Sequence, residues 1–211
     1  MKKYVLIDSQ IKKYKKKINV SADKSLSIRW VLMAAQAVGK SIAYNLLNSE
    51  DVNNSLIAVK KLGVKVIKKK NLCQINGVGL NGFSLKNNTV IDAGNSGTLA
   101  RLIIGVLAKS NKTIVLKGDK SLSKRDFSRV IKPLKKFGLS FKSNKNNLPL
   151  KFKGTNYLSP IQYKELKGSA QVKSSILLAA LNTPGKTKVR CFPSRDHTER
   201  LFKFLNLPIK I

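Results

Sequence analysis

Three short segments of small and polar residues, at 23–25, 94–98 and 168–169, each precede a stretch of apolar residues at helical spacing. The free N–H groups and the dipole at a helix start attract anions, and small side chains let a ligand approach the backbone. Capping of the helix is the ordinary role of a single segment of this kind. Three such segments with Lys or Arg nearby favour the binding of phosphate or carboxylate groups.

The arginines support the same chemistry. The chain has 42 Lys and Arg residues against 10 Asp and Glu, a formal net charge of +32, and only seven of the basic residues are arginine. All but Arg190 lie in or beside these three segments and two further ones at 118–125 and 194–200. Because the planar guanidinium suits two-point contact with phosphate or carboxylate, these arginines are candidates for anion recognition. The dispersed lysines are typical of a solvated surface.

The segments occupy equivalent places in a repeated pattern of helices and strands. Each unit starts with a small-residue segment and an amphipathic helix, and continues with a strand, a second helix and another strand. This repeat predicts modules around a shared helical core, at about 21–90, 91–165 and 166–211, with the last one incomplete. We predict a strand at 41–47, one helix at 124–137 and the start of a strand at 209–211. An incomplete module leaves an open sheet edge, which favours a fragment of a longer protein.

Five motifs resemble, in the same order, those of the 5-enolpyruvylshikimate-3-phosphate synthase family of enolpyruvyl transferases. They are D-K-S-L-S-I-R at 23–29, G-N-S-G-T at 94–98, G-D-K-S-L-S-K-R at 118–125, S-A-Q-V-K-S at 169–174 and S-R-D-H-T-E-R at 194–200. The resemblance implies an α/β fold, namely an enolpyruvyl transferase-type lobe built of repeated βαβαββ modules (an inside-out α/β barrel), truncated here. Residues 1–20 would be the leading strand and linker of the first lobe, and residues 21–211 most of the second.

The resemblance also implies substrate-binding roles for nine residues in these motifs. They are Lys24, Ser25, Arg29, Gly97, Arg125, Ser169, Ala170, Gln171 and Ser194. Those in the first, fourth and fifth motifs would hold shikimate 3-phosphate, and those in the second and third would bind phosphoenolpyruvate. Lys24 and Gln171 would contact both substrates.

The implied activity is that of a 3-phosphoshikimate 1-carboxyvinyltransferase of the shikimate pathway. The enolpyruvyl group of phosphoenolpyruvate would pass to the 5-hydroxyl of shikimate 3-phosphate with release of phosphate, and the resemblance implies no metal or cofactor. Catalysis would rest on positioning two anions and on general acid and base groups. We expect those groups in the half that this chain lacks, so no catalytic residue is assigned. The isolated chain is expected to be nearly inactive unless a separate chain supplies the other lobe.

Two residues within the motifs raise questions of their own. Asp126 stands where the family usually has proline, and an acid beside Arg125 could draw its guanidinium away from a ligand. His197 is the only histidine, and we expect it to cap a helix or serve the fold.

Three other interpretations stay open. A UDP-N-acetylglucosamine enolpyruvyl transferase would share the fold and the phosphoenolpyruvate chemistry. The charge alone suggests a nucleic-acid-binding domain, although aromatic residues make up only 7% of the chain and we expect no specific nucleic-acid partner. The third interpretation is an inactive binding subunit. No apolar run is long enough to cross a membrane, so we expect a cytoplasmic protein, monomeric as is usual in the family.

Overall fold

The computed structural model describes residues 6–10, 13, 15–18 and 20–211. The first unit comprises α1 (Lys24–Gln36), β1 (Val38–Tyr44), α2 (Glu50–Lys61), β2 (Lys65–Lys68) and β3 (Leu72–Val78). The second comprises β4 (Thr89–Asp92), α3 (Gly97–Val106), β5 (Thr113–Lys117), α4 (Lys120–Ser123), α5 (Ser128–Lys136), β6 (Ser140–Lys142) and β7 (Leu150–Lys153). The remaining elements are β8 (Gln162–Glu165), at the end of the second predicted module, and α6 (Ala170–Ala180), β9 (Lys188–Cys191) and α7 (His197–Phe204).

The predicted leading strand and linker at 1–20 are described only in part. Residues 1–5, 11, 12, 14 and 19 lie outside the described residues. The described part of 6–20 contains no helix or strand. Across the described residues, no helix is both long and apolar enough to cross a membrane.

The strands form three separate small sheets. The first has the order β1-β3-β2 and is antiparallel, and the second has the order β4-β5-β7-β6, in which only β4 and β5 run parallel. The third sheet pairs β8 with β9 in parallel. The predicted α/β class is therefore confirmed. Within 20–211 the sheets do not close into a barrel.

Helices α1, α3 and α6 form the centre of the molecule. Nine of the ten residues of α3 are buried, as expected for a helix that is apolar on all sides. Gly105 lets α3 and α6 approach closely, because a methyl group there would collide with the carbonyl oxygen of Ser175. Early residues of α3 contact early residues of α6: Gln171 Nε2 donates to Thr98 Oγ1 (3.0 Å), and Ser175 Oγ donates to the Arg101 carbonyl (2.9 Å). The two helices are therefore parallel and begin at the same end.

Helix α1 begins at that end as well. Arg29, in the second turn of α1, donates from Nη2 to the Ser174 hydroxyl of α6 at 2.9 Å. The buried face of α1 carries Ile28, Val31 and Leu32, each fully buried. Because the Arg29 guanidinium bonds both the Ser25 carbonyl and the Ser174 hydroxyl, the segment at 23–25 lies near the first turns of α6.

Three predicted elements differ in the structure. The single helix expected at 124–137 is divided into α4 and α5 around Phe127, which is fully buried and donates its backbone N–H to the Asn146 carbonyl (2.9 Å) rather than to a helical partner. The strand expected at 41–47 begins at Val38 and pairs with β3 throughout its length. No strand forms at 209–211, where the Ile209 N–H bonds to the Leu207 carbonyl in a turn (2.8 Å).

Candidate anion-binding site

Each of the three central helices begins with a side-chain cap. The Asp23 carboxylate accepts a hydrogen bond from the Leu26 N–H (2.7 Å), the Ser96 hydroxyl from the Leu99 N–H (3.2 Å) and the Ser169 hydroxyl from the Val172 N–H (3.4 Å). Such caps satisfy one of the free N–H groups of each first turn. With α1, α3 and α6 starting at one end, three positive dipole ends face the same region, which favours an anion there.

The segment at 169–171 and the segment around Gly97 are neighbours. The bond between Gln171 and Thr98 joins the first turn of α6 to the first turn of α3. Ser169 and Ala170 are half-buried at the start of α6, whereas Gly97 is buried at the start of α3. Two sets of residues for which the family resemblance implies different substrates therefore lie side by side.

Two guanidinium groups lie at the start of α3. Arg101 Nη1 donates to the Gly97 carbonyl at 3.1 Å, and the Arg101 guanidinium lies 4.7 Å above the ring of Phe127. A methyl group on Gly97 would lie 2.7 Å from Arg101 Nη1 and 3.3 Å from Arg125 Nη1. Gly97 therefore keeps space open beside both side chains.

The charge around these arginines is unbalanced. Burial lowers the pKa of Arg101, and the nearby positive charges of Arg125 and Arg129 lower it further, against a smaller opposing effect of Asp126. An anion bound here would relieve that repulsion. Arg125 itself is exposed and lines an open cleft of about 640 Å³ together with residues of α4.

The carboxylate of Asp126 is hydrogen-bonded to Ser128 rather than to Arg125. It accepts hydrogen bonds from the N–H of Ser128 (2.7 Å) and from its hydroxyl (2.5 Å), at the first turn of α5. These bonds to Ser128 are the main reason why the pKa of Asp126 is lowered. Among the described residues, Asp126 and Arg125 form no ion pair, so the expected competition between Asp126 and a ligand for Arg125 is not what the structure shows.

Lys24 and Ser25, at the start of α1, are both accessible to a ligand. Lys24 Nζ lies 3.0 Å from the Asp51 carboxylate of α2, and the Lys24 side chain is 53% exposed. An ion pair with this much solvent contact contributes little, on the order of 0–1 kcal/mol. It can therefore be exchanged for contact with an anionic ligand at small cost. Ser25 is half-buried beside Lys24.

Arg29 is buried where α1, α6 and α7 meet. It is 4% exposed. Its guanidinium donates to the Thr198 hydroxyl (2.7 Å), the Ser174 hydroxyl (2.9 Å) and the Ser25 carbonyl (3.0 Å). Burial lowers its pKa, and the charge of Arg195 adds to that effect. Arg29 thus ties α1 to α6 and α7, a role that the sequence motif did not reveal.

Glu165 is a functional candidate that the sequence analysis missed. It is 4% exposed at the end of β8. Its carboxylate accepts hydrogen bonds from the N–H groups of Ser169 (2.8 Å) and Lys167 (3.3 Å) and forms an ion pair with Arg129 at 3.1 Å. Burial raises its pKa, but the bonds from Ser169, Arg129 and Lys167 together outweigh burial and lower the pKa. Glu165 therefore holds the segment that precedes α6.

Ser194 and the first turn of α7 complete the site. The Ser194 hydroxyl oxygen is buried and has no hydrogen-bond partner within the described part of the chain. Five residues after Ser194, Glu199 of α7 forms an ion pair with Lys173 of α6. His197 is the first residue of α7, and Asp196 is in the capping position but makes no side-chain cap. In the described ranges, no group of three or more His, Cys, Asp or Glu side chains is arranged to hold a metal ion.

One sequence signal could have pointed to Glu165 and Glu199. Because the chain has only 10 acidic residues against 42 basic ones, an acidic residue close to a motif is uncommon. An acid four residues before Ser169, and another inside the last motif, are therefore candidates for fixing those segments. Periodicity alone could not reveal their partners, because Arg129 and Lys173 belong to other elements.

Comparison with known proteins gives a consistent result. The family model of EPSP synthase (3-phosphoshikimate 1-carboxyvinyltransferase) matches residues 9–211. The 3-phosphoshikimate 1-carboxyvinyltransferase of Ruthia magnifica is 44% identical over 195 residues, which are 92% of this chain and 45% of that protein. The corresponding protein of Zymomonas mobilis is 43% identical, over 89% of this chain and 42% of its own length.

The solved structures agree with the sequence comparison. A structure of EPSP synthase from Acinetobacter baumannii superposes with a TM-score of 0.87 at 37% identity, covering 93% of this chain and 45% of that one. The chain thus spans about half the length of the curated relatives it matches.

Proposed function

This chain belongs to the EPSP synthase (3-phosphoshikimate 1-carboxyvinyltransferase) family, and we propose that it carries the part of such an enzyme that binds shikimate 3-phosphate. The activity to which it contributes is the transfer of the carboxyvinyl group from phosphoenolpyruvate to that acceptor. A cytoplasmic location belongs to the same proposal.

The observation that carries the proposal is the convergence of three helix starts at one end of the core. The Gln171–Thr98 bond joins two of them, and the bond from Arg29 to Ser174 joins the third. A phosphate and a carboxylate need N–H donors and fixed positive charge, and both are concentrated here.

The two anions would bind at adjacent places. In the proposed arrangement, the acceptor's phosphate meets Ser169, Ala170, Gln171 and Ser194, and its ring lies towards Lys24 and the start of α1. Ser25 and Arg29 would also contact the acceptor. Arg29 would do so through the N–H groups that do not bond to its three oxygen partners.

Phosphoenolpyruvate would lie next to the acceptor, over Gly97. Arg125 would bind it from the open cleft, and Arg101, which the motif analysis did not assign, supports that place with its charge. Neither anion needs a metal ion to be held in this arrangement, because the positive charge comes from side chains and helix starts.

Binding of shikimate 3-phosphate to the purified chain, measured by isothermal titration calorimetry, tests the proposal. We expect saturable binding, with shikimate at least tenfold weaker because it lacks the phosphate, roughly the loss of one charge-assisted interaction. Gln171→Ala is expected to weaken binding, whereas Gln74→Ala on β3 is the matched control and leaves binding unchanged. Tighter binding of UDP-N-acetylglucosamine than of shikimate 3-phosphate would contradict the proposal and favour the other enolpyruvyl transferase activity.

A further inference from the structure

A buried polar cluster connects α7 to the helical core. Lys173 of α6 and Glu199 of α7 form an ion pair, with side chains 8% and 10% exposed. Next to them, the Thr198 hydroxyl accepts from Arg29 Nε at 2.7 Å and shares a 2.7 Å hydrogen bond with the Ser174 hydroxyl. Buried polar contacts therefore join three helices.

Stability alone is a weak reason for this arrangement. Taking two charges out of water costs several kcal/mol per ion, and well-packed apolar residues in place of a buried ion pair are often neutral or stabilising. The pair is also incompletely satisfied, since Glu199 Oε2 has no partner among the described residues. A buried pair of this kind has directional contacts, however, and fixes the relative position of two helices in a way that apolar contacts do not.

The segment that depends on this position is the loop at 192–196 between β9 and α7. One end of the loop is fixed, because the Phe192 N–H donates to the Glu165 carbonyl at 3.2 Å. The other end leads into α7, whose first turn carries Thr198 and Glu199. Ser194 lies between the two ends with its hydroxyl buried and unpartnered in the described chain.

We propose that Lys173 and Glu199 are positioning residues that, through α7, hold the Ser194 hydroxyl towards the phosphate of the bound acceptor. This inference rests on the proposed function. The cluster also favours an anion at the loop, because Arg29 and Lys173 carry two positive charges and Glu199 only one negative charge. The excess positive charge lies on buried side chains that contact Thr198 and Glu199 in the first turn of α7, where water screens it weakly.

The test compares Glu199→Gln and the double variant Lys173→Met/Glu199→Met with the unchanged chain, using Glu50→Gln in α2 as the control. Three quantities are measured: the melting temperature, the affinity for shikimate 3-phosphate, and the amide hydrogen exchange of residues 192–197. Glu199→Gln is expected to lose about tenfold in affinity, the size of one charge-assisted hydrogen bond, and to exchange faster at 192–197. The double variant is expected to recover the melting temperature without recovering affinity or protection.

The outcomes separate positioning from a purely structural role. Recovery of affinity and of protection in the double variant would overturn the inference, because apolar packing would then suffice. Unchanged amide hydrogen exchange at 192–197 in both variants would also overturn the inference, whatever affinity for shikimate 3-phosphate the variants show. If Glu199→Gln does not fold, the affinity and the amide hydrogen exchange of the double variant are sufficient to distinguish these outcomes.

Failure of the proposed function would look different. In that case the unchanged chain would show no binding of shikimate 3-phosphate, while exchange at 192–197 would still respond to the variants. Normal affinity in every variant, with binding by the unchanged chain, would reject the positioning role and leave the proposed function intact.

Discussion

Ser194 illustrates how a single side chain can be costly for the fold and useful for binding. Its hydroxyl oxygen is buried without a hydrogen-bond partner among the described residues. A buried polar group left unpaired costs about 1–3 kcal/mol. A ligand that supplies the missing partner recovers that cost, which is the behaviour expected at a binding site.

Ser194→Ala is therefore expected to raise or preserve the melting temperature while weakening the binding of shikimate 3-phosphate. The predicted loss of affinity is about tenfold to a hundredfold, the size of one hydrogen bond to a charged group. Differential scanning fluorimetry and calorimetric titration measure the two effects. Ser110→Ala, at the other end of α3, is the control. A lower melting temperature with unchanged affinity would show that Ser194 serves only the fold.

Gly97 supports a second prediction at this scale. In Gly97→Ala the new methyl group would lie 2.7 Å from Arg101 Nη1, so the guanidinium must move from its place above Phe127. Loss of that contact costs about 0.5–1 kcal/mol, and alanine regains a similar amount as the better helix former. We expect near-normal stability but several-fold weaker binding of phosphoenolpyruvate. A titration monitored by phosphorus NMR measures that binding. Shikimate 3-phosphate affinity should be retained, and a parallel loss of both affinities would contradict this explanation.

The sequence motifs identified candidate site residues at the helix starts, but they did not identify the residues that hold those helix starts in place. Motif similarity pointed to Ser169, Gln171 and Gly97, and the structure brings these three together. Glu165 and Lys173 remained hidden because each acts through a partner on another element, and nothing in local spacing encodes such a partner. Long-range contacts of this kind arise only when the helices pack.

At the scale of elements, Glu165 links β8 to the start of α6. Its carboxylate receives two backbone N–H groups and the Arg129 guanidinium. Glu165→Gln removes the charge from all three contacts. We expect a loss of about 1–3 kcal/mol in the free energy of unfolding at pH 7, measured by urea titration. Glu50→Gln, which changes an exposed acid in the first turn of α2, should cost less than about 1 kcal/mol.

The pH dependence of the same variant gives an independent check. The pKa of Glu165 in the folded protein lies below its ordinary value of 4.5. Its stabilising contribution is therefore fully present above that ordinary value and is lost as the pH falls through the lower, folded pKa. The difference in unfolding free energy between the unchanged chain and Glu165→Gln should thus shrink below about pH 4.5. A difference that stayed constant down to pH 3 would contradict the assigned role.

The helices were easier to predict than the strands. Helices α1, α3 and α6 have long apolar faces and side-chain caps, which are local signals. Strand β8, with the sequence Q-Y-K-E, has one partly buried aromatic and no apolar alternation, so only its pairing with β9 defines it. The break between α4 and α5 depends on the burial of Phe127 and on its bond to Asn146, and periodicity contains neither.

For the whole molecule, the net charge of +32 explains attraction but not recognition. A field of this size draws anions of any kind towards the surface, and salt screens it. Recognition comes instead from the few fixed groups at the end of the helical core. Among them, Arg29 is held by three oxygen partners, and Arg101 is held by the Gly97 carbonyl and the ring of Phe127.

Catalysis by this chain alone would need a carboxylate near the candidate site that is available for proton transfer. Asp23 and Asp119 cap helices, Asp126 bonds to Ser128, and Glu165 and Glu199 are in ion pairs. A general acid or base must reach the substrate with a proton or lone pair available. These five carboxylates already have partners, whereas Asp196, in the capping position of α7, is exposed and makes no side-chain cap. Each of the five would have to leave its partner before it could transfer a proton.

We therefore expect the 211-residue chain to release phosphate from the two substrates at least about a hundredfold more slowly than a full-length relative, since general acid–base groups contribute at least that factor. A coupled phosphate-release assay with the Acinetobacter baumannii EPSP synthase as reference measures this. Adding the part of that enzyme outside the 45% matched by this chain should raise the rate, because it would bring the groups that this lobe does not offer. Gln171→Ala should abolish the gain, and rapid turnover by the chain alone would show that one of its engaged carboxylates is released for catalysis when substrate binds.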